Sequence, residues 1–165
     1  MQSFEYHCPT EIVFGREAET KTAAKISKYG GHRVLVVYGG GSVVKSGLLA
    51  RLESQFTEAG LVFKSLGGVQ PNPRLSLARQ GVKEAIAFGA DFILGVGGGS
   101  VIDTAKAVAH GTANPDIDIW EFWSGRQLLE KSLPVGLVLT IAAAGSETSN
   151  SAVLTNAETG RKSGL

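Results

Sequence analysis

Hydrophobic positions along the chain form short uninterrupted apolar runs, which alternate with longer stretches where apolar residues recur every three or four positions. The apolar runs, rich in β-branched side chains, cover residues 33–38, 61–63, 91–96 and 134–139. Runs of this kind are typical of parallel strands buried on both faces. The amphipathic stretches predict helices over residues 18–29, 46–59, 74–88 and 100–110. The alternation predicts an α/β fold, a Rossmann-like parallel sheet with flanking helices.

The two ends of the chain depart from this alternation. Residues 3–6 and 11–14 predict short N-terminal edge strands that precede the first helix. Residues 151–155 and the turn-rich residues 156–160 predict a C-terminal hairpin whose return strand is only beginning where the sequence stops. No repeat, low-complexity tract or interdomain linker interrupts the pattern, so residues 1–165 are predicted to form one domain.

Charge and cysteine content narrow the classes of partner. Lys and Arg total 16 against 15 Asp and Glu, which gives a net charge of +1 and no attraction to nucleic acid or an anionic membrane. No apolar run approaches the roughly 20 residues that span a bilayer. The single cysteine, Cys8, cannot form an internal disulfide, and the first residues do not resemble a signal peptide. We therefore expect a cytoplasmic protein with a small-molecule partner.

Glycine is the exceptional component, with 22 residues, about twice its average share. The glycines cluster at residues 39–41, 67–68 and 97–99, and each cluster follows an apolar run; a run of small residues at 142–145 follows another. Because glycine lets a backbone or a phosphate approach closely, this pattern predicts strand ends that open onto a ligand.

The most specific of these clusters is Gly97, Gly98, Gly99 and Ser100, which follows a predicted strand and precedes a predicted helix. We expect Ser100 to cap that helix. Bare amides at the positive end of a helix form a binding site for a pyrophosphate. The alternative is a glycine-rich turn with a serine cap and no ligand, which the following Val-Ile-Asp-x-Ala-Lys disfavours.

The segment GGGSVIDTAKA at residues 97–107 resembles the cofactor signature of the iron-containing (group III) alcohol dehydrogenase family, particularly its NADPH-dependent butanol dehydrogenase and aldehyde reductase members. Residues 9–15, 68–73 and 140–147 resemble other family segments in order and spacing. The resemblance implies hydride transfer between a nicotinamide cofactor and an alcohol or aldehyde. It also implies a homodimer that forms through the N-terminal edge strands.

The resemblance also implies roles for individual residues. Gly97, Gly98 and Ser100 would hold the pyrophosphate, and Asp103 would lie toward the nicotinamide. Thr140 would contact the adenine side of the cofactor, and Lys162 would reach a ribose hydroxyl.

The turn after the first predicted strand bears on the choice of cofactor. Gly39 stands where NAD-preferring relatives tend to carry an aspartate, which would repel a 2′-phosphate. Ser42 offers a hydroxyl, Lys45 a positive charge, and Gly40 and Gly41 their amides. The turn therefore predicts a preference for NADP(H), the alternative being a flexible glycine turn beside an exposed lysine.

Several other residues receive structural interpretations. His110 is expected to lie at a helix C-terminus and interact with the helix dipole. Ser146 with Glu147 is expected to cap a helix rather than to form part of a nucleophile elbow. Trp120, Phe122 and Trp123 predict a packing cluster on a short helix, with the border of a substrate cleft as the alternative for one of them.

The catalytic metal of the family has no ligands in this sequence. The resemblance implies a divalent metal, iron or zinc, bound by an aspartate and three histidines of a second, all-helical domain. The three histidines here form no H-x-x-x-H pair. We therefore expect no catalytic and no metal-binding residues in this chain, which would be an inactive fragment of a longer two-domain protein. The alternatives are a non-catalytic NADP(H)-binding module and a dehydroquinate-synthase-like lyase domain; Gly39 disfavours the latter, because its chemistry recycles NAD.

Overall fold

The computed structural model describes residue 3, residue 5 and residues 7–165. Four parallel strands form the central sheet, in the order β2-β1-β3-β4. Their bounds are β1 Arg33–Gly39, β2 Val62–Val69, β3 Phe92–Gly97 and β4 Val135–Leu139. Six α-helices accompany them: α1 Thr22–Lys28, α2 Ser42–Lys45, α3 Leu48–Glu58, α4 Leu75–Phe88, α5 Gly99–Ala113 and α6 Trp120–Trp123. The prediction of a Rossmann-like parallel sheet with flanking helices is confirmed.

Strand β1 lies at the centre because its side chains are apolar on both faces. Val34 and Val36 pack into a core cluster with α1, α2 and α3, whereas Leu35 and Val37 pack into a second cluster with α4 and α5. Successive side chains of a strand point to opposite faces, so the uninterrupted apolar run fills two layers at once.

Helix α5 is covered on all sides, and residues 101–111 are buried without interruption. Its inner face packs on the sheet. Its outer face meets a third cluster that contains Trp120, Phe122 and Trp123 of α6 and Leu154. The predicted packing cluster of aromatic residues is therefore confirmed, and the indole of Trp123 donates a hydrogen bond to the Ala152 carbonyl at 2.9 Å.

A C-terminal hairpin completes this outer layer. Strand β5, Val153–Asn156, pairs with antiparallel β6, Arg161–Gly164, and the hairpin is joined to the rest of the fold by a bond from the Thr155 amide to the Pro73 carbonyl at 2.8 Å. The hairpin prediction is confirmed, but the expectation that the return strand is only beginning is wrong, because β6 pairs along all of β5.

Only the second of the two predicted N-terminal strands lies entirely within the described residues. The first, residues 3–6, includes Phe4 and Tyr6, which lie outside the described residues. Residues 11–14 form no strand, because the Glu11 carboxylate draws this segment against α1. It accepts hydrogen bonds from Lys25, from Lys28 at 2.8 Å and from the Tyr29 hydroxyl at 2.9 Å.

Two other boundaries differ from prediction. The helix predicted over residues 46–59 corresponds to α3, which begins only after Gly47, where φ is 71°; the short helix α2, before residue 46, was not predicted. Strand β2 runs past the predicted residues 61–63 to Val69 and includes Gly67 and Gly68. A side chain on Gly67 would clash with the Tyr38 ring, at 2.7 Å from its Cζ, so this glycine makes room for a neighbouring strand rather than for a ligand.

Candidate functional site

The glycine clusters after β1 and β3 lie at the same edge of the sheet. From β1 the chain crosses to β2 on one side, and from β2 it crosses back to β3 on the other side of β1. The carboxyl ends of β1 and β3, at Gly39 and Gly97, therefore flank the point where the winding reverses. Open α/β sheets bind their ligands in this crevice.

The loop after β3 is shaped by packing beneath it. A Cβ on Gly97 would lie 2.6 Å from Cγ2 of Val101, and one on Gly98 would lie 2.8 Å from Cγ2 of Ile141, whereas Gly99 has no such neighbour within 4 Å. The Gly98 carbonyl accepts the amides of Val101 at 2.9 Å and Ile102 at 3.1 Å, which starts α5 at Gly99. The first-turn amides of this 15-residue helix therefore face an open space.

Ser100 does not cap this helix, and that expectation is wrong. The capping position belongs to Gly98, where no side-chain cap bond forms, and Ser100 is the second residue of the helix. The third glycine starts the helix one residue earlier than predicted. Ser100 instead lines a groove of about 210 Å³ together with Gly98, Gly99 and residues 69–71.

The far wall of this groove was not predicted as part of the site. It consists of Val69, Gln70 and Pro71, at the end of β2. The proline turn that starts here is visible in the sequence, and its position after an apolar run could have marked a third strand end at the crevice. Because β2 was predicted to end at residue 63, residues 69–71 were not recognised as the end of a strand.

The loop after β1 is open to solvent. Gly40, Ser42 and Lys45 are exposed, and a Cβ on Gly40 would meet no atom within 4 Å. A Cβ on Gly39 would be in ordinary contact, 3.7 Å from both the Val69 carbonyl and Cγ2 of Val101. Gly39 thus lies between the end of β2 and the first turn of α5, and the exposed Lys45 side chain lies near Gly41 of the same loop.

Thr140 follows β4 and lies beside the loop after β3. Its amide donates to the Gly97 carbonyl at 3.1 Å, which continues the parallel pairing of β3 and β4 by one residue. The next residue, Ile141, packs over Gly98. The loops after β1, β3 and β4 therefore meet at one edge of the sheet, as predicted from their glycine and small residues.

Asp103 lies one turn into α5 and is only 9% exposed. Burial raises the pKa of its carboxyl, while the amide of Val153 and the charges of Lys106 and Lys162 act in the opposite direction. Its Oδ1 has no hydrogen-bond partner among the described residues. Asp103 therefore lies against the hairpin, with one buried carboxylate oxygen that no described residue satisfies.

Lys162, on β6, is held against the proline turn. Its Nζ donates to Oδ1 of Asn72 at 2.9 Å. Asn72 adopts a left-handed backbone conformation, with φ of 58°, at the centre of the turn. Lys162 is thus close enough to affect Asp103 electrostatically, but it contacts neither glycine loop.

Two structural expectations outside the groove are wrong. His110 lies in the last turn of α5, as expected, but it carries no charge to interact with the helix dipole, because burial lowers the pKa of His110 to about 4. Its Nδ1 pairs with the Ser132 hydroxyl at 2.8 Å, and its Nε2 has no partner. Ser146 caps no helix, because the connection from β4 to β5 contains only turns, such as the one closed by Thr148 on the Gly145 carbonyl.

The described residues contain no group of three or more His, Cys, Asp and Glu side chains that could hold a metal ion. Among the same residues, no helix is long and apolar enough to cross a bilayer.

Comparisons with known proteins give consistent results. A family model described as iron-containing alcohol dehydrogenase matches residues 9–165. The probable NADH-dependent butanol dehydrogenase 1 of Bacillus subtilis is 44% identical, over 99% of this chain and 42% of its own length. The NADPH-dependent aldehyde reductase YqhD of Escherichia coli is 37% identical, over 98% of this chain and 41% of its own length.

A solved structure agrees with both sequences. NADH-dependent butanol dehydrogenase A of Thermotoga maritima superposes with a TM-score of 0.97 and 42% identity, over 100% of this chain and 41% of that one. The chain thus spans about two fifths of the length of the relatives that it matches.

Proposed function

Because this chain belongs to the iron-containing alcohol dehydrogenase family, we propose that residues 1–165 are its dinucleotide-binding domain and that they bind NADP(H). The enzyme as a whole would transfer hydride between this cofactor and an alcohol or aldehyde. The names of the relatives support this reaction class, since they include butanol dehydrogenases and an aldehyde reductase.

One observation carries the proposal: the loops that follow the two central strands contain glycines with open space where a side chain would be. Gly40 and Gly99 have no atom within 4 Å of a built Cβ, and Gly41 has only the end of the Lys45 side chain, at 4.0 Å. Packing within the chain therefore does not require glycine at these positions. A phosphate that approaches the backbone amides would require it.

The predicted site residues would each contact a different part of the cofactor. Gly97, Gly98, Gly99 and Ser100 would hold the pyrophosphate at the positive end of α5. When bound, the nicotinamide supplies the hydride-carrying carbon. Asp103, whose Oδ1 lacks a donor, would accept a hydrogen bond from the nicotinamide amide. Thr140 would border the adenine side, and Lys162 would exchange its bond to Asn72 for a ribose hydroxyl.

The preference for NADP(H) rests on the turn after β1. Gly39 brings no carboxylate to the crevice, and the exposed groups of Ser42 and Lys45 could contact a 2′-phosphate, together with the amides of Gly40 and Gly41. The names of the relatives divide between the cofactors, with NADH in the butanol dehydrogenases and NADPH in the aldehyde reductase. The support therefore comes from these residues.

Fluorescence titration with NADPH and NADH tests both parts of the proposal. We expect NADPH to bind at least about tenfold more tightly, which corresponds to about 1.4 kcal/mol. Lys45→Met should remove this difference, whereas the control Lys83→Met, an exposed lysine on α4, should keep it. Tighter binding of NADH would refute the interpretation of Gly39, Ser42 and Lys45, and no binding of either cofactor would refute the proposed function.

Turnover requires groups that the described residues do not provide. We propose that a divalent metal, iron or zinc, is bound by residues outside residues 1–165 and polarises the substrate oxygen. The chain of 165 residues should then bind cofactor and reduce no aldehyde, with or without added Fe²⁺ or Zn²⁺. Measurable NADPH oxidation by this chain with butanal would contradict this assignment.

We also propose that the protein is a cytoplasmic homodimer that assembles through its N-terminal segment. Ile12 and Phe14 are 66% and 99% exposed on a stretch that forms no strand by itself. A second copy of the chain could cover them. Phe14→Ser should shift the mass measured by light scattering from dimer to monomer, whereas Leu128→Ser, at an 81% exposed position, should not. A monomeric parent protein would refute the dimer.

A further inference from the structure

Lys106 is a buried cation to which the proposed function gives no role. It lies on α5, two turns after Gly99, and is only 7% exposed. Its Nζ donates three hydrogen bonds, to the carbonyl oxygens of Ser146 at 2.6 Å, Ser149 at 2.6 Å and Ser151 at 2.8 Å. An ammonium has three donors, so every one of them is used on a single loop.

That loop connects β4 to β5, and it contains no helix or strand. Its first residues rest on the proposed phosphate site, because Thr140 donates to the Gly97 carbonyl at 3.1 Å and Ile141 packs over Gly98. Its last residues converge on Lys106. The first residues of the connection are therefore held by the loop after β3, and its last residues are held by α5, the helix which that loop begins. The position of the connection depends on both contacts.

The internal contacts of the loop are short in range. The Thr148 amide bonds to the Gly145 carbonyl at 3.2 Å, and the Ser151 amide bonds to the Ser149 hydroxyl at 3.0 Å. Such local bonds do not fix a loop relative to the rest of the fold. The three carbonyl oxygens held by one ammonium do so, since hydrogen bonds to a charged group are the strongest kind.

We propose that Lys106 is a positioning residue: its ammonium holds the connection from β4 to β5 against α5, so that residues 140–151 form the wall of the cofactor site opposite the loop after β1. The loop is then already ordered before a dinucleotide binds, so the conformational entropy of ordering the loop is not lost on binding. The same ammonium also acts electrostatically on Asp103 and favours its carboxylate form. This inference rests on the proposed function of the glycine loops.

Burial of a cation is costly, which argues against a mere packing role. A methionine of similar length would fill the same space without the desolvation penalty. All three hydrogen bonds of the Lys106 ammonium go to one loop. The charge itself is therefore the property to test.

The test compares Lys106→Met, Lys106→Gln and Phe56→Leu in the full chain. Phe56 is fully buried in the cluster on the opposite face of the sheet, so its substitution lowers stability without touching the loop. Elastase, which cleaves after small residues, reports on residues 142–151 without any cofactor. Fluorescence titration with NADPH reports on the cofactor site, and thermal melting reports on global stability.

Both Lys106 variants should be cleaved in the loop at least about tenfold faster than the parent. They should also bind NADPH about tenfold more weakly, because the entropy of ordering the loop is then lost on binding. Phe56→Leu should change neither value at a comparable loss of thermal stability. Equal cleavage in the parent and in Lys106→Gln overturns the inference, as does equal weakening of NADPH binding by Phe56→Leu. A parent chain that binds no NADPH refutes the proposed function instead, and the cleavage rates then still decide whether Lys106 orders the loop.

Discussion

The loops after β1 and β3 have nearly the same sequence, yet the chain uses them differently. Residues 39–45 are GGGSVVK and residues 97–103 are GGGSVID. The first sequence leads into α2, a four-residue helix that ends before Gly47, and leaves Lys45 exposed. The second leads into α5, a 15-residue helix that is buried on all sides and leaves Asp103 only 9% exposed.

The difference arises outside the shared residues. After Val44, the chain meets Lys45, Ser46 and Gly47, which place charged and polar groups at the surface and then a left-handed turn. After Ile102, small residues lie between the polar ones, so the helix can be covered by the sheet on one side and by α6 and the hairpin on the other. A glycine-serine loop thus provides a backbone that a phosphate can approach. The residues that follow decide whether the loop is anchored to a buried helix, as after β3, or free at the surface, as after β1.

The burial of α5 makes the stability of the whole domain sensitive to pH. Burial lowers the pKa of His110 to about 4 from the usual 6.5, so between these values the unfolded chain binds a proton that the folded chain does not. Stability should be complete above pH 6.5 and fall as the pH drops to 4. Since one pH unit is worth about 1.4 kcal/mol, the loss is about 3 kcal/mol.

Urea denaturation of the parent and of His110→Asn from pH 4 to 7.5 measures this contribution. An asparagine can keep a hydrogen bond to Ser132 but cannot titrate, so the variant should lack the loss in this pH range. Parallel pH profiles for the two proteins would show that His110 is protonated as readily in the folded chain as in the unfolded one.

The anchored and the free loop should respond differently to the same added methyl group. Gly97→Ala would place Cβ 2.6 Å from Val101 and should lower the free energy of unfolding by about 2 kcal/mol. Gly40→Ala meets no atom and should change that free energy by less than about 0.5 kcal/mol. Gly40→Ala should nevertheless weaken NADPH binding. If both variants unfold at the same denaturant concentration, the contrast between the loops is wrong.

Much of the fold could be predicted because the central strands are uninterrupted apolar runs. Strands β1, β3 and β4 lie within one residue of their predicted limits at each end. The errors occurred where a tertiary contact overrode the local pattern. The polar residues Lys64 and Ser65 ended the prediction of β2, although the strand continues to Val69. Residues 11–14 form no strand because Glu11 binds the basic face of α1.

The site could be predicted in part. The glycine loops and Thr140 meet at one edge because parallel strands end together. The groove wall at Gln70 was missed because β2 was predicted to end at residue 63. The bonds of Lys106 could not be predicted, since they depend on which segments lie beside α5. The capping role of Ser100 was mispredicted because the sequence does not indicate which of three glycines begins the helix.

A carboxylate placed in the free loop should reverse the choice of cofactor. A Cβ on Gly39 finds ordinary contacts of 3.7 Å, so Gly39→Asp can be accommodated. The new carboxylate would repel a 2′-phosphate and accept a bond from the 2′-hydroxyl of NADH. NADPH affinity should fall and NADH affinity should rise, each by about tenfold or 1.4 kcal/mol. Equal changes for both cofactors, measured by fluorescence titration, would place Gly39 away from the 2′ position.

The smallest predicted effects come from replacing Ser42 and Ser100, which occupy the same position in the two loops. Ser100 belongs to the anchored loop and lines the groove, whereas Ser42 belongs to the free loop and is exposed. Since α5 has no side-chain cap bond, Ser100→Ala should leave the free energy of unfolding within about 0.5 kcal/mol of the parent. Each lost hydrogen bond should weaken binding by about fivefold, or about 1 kcal/mol. Ser100→Ala should weaken NADPH and NADH equally, because both carry the pyrophosphate, whereas Ser42→Ala should weaken NADPH alone. A lower melting temperature for Ser100→Ala with unchanged cofactor affinity would restore the capping role and remove Ser100 from the site.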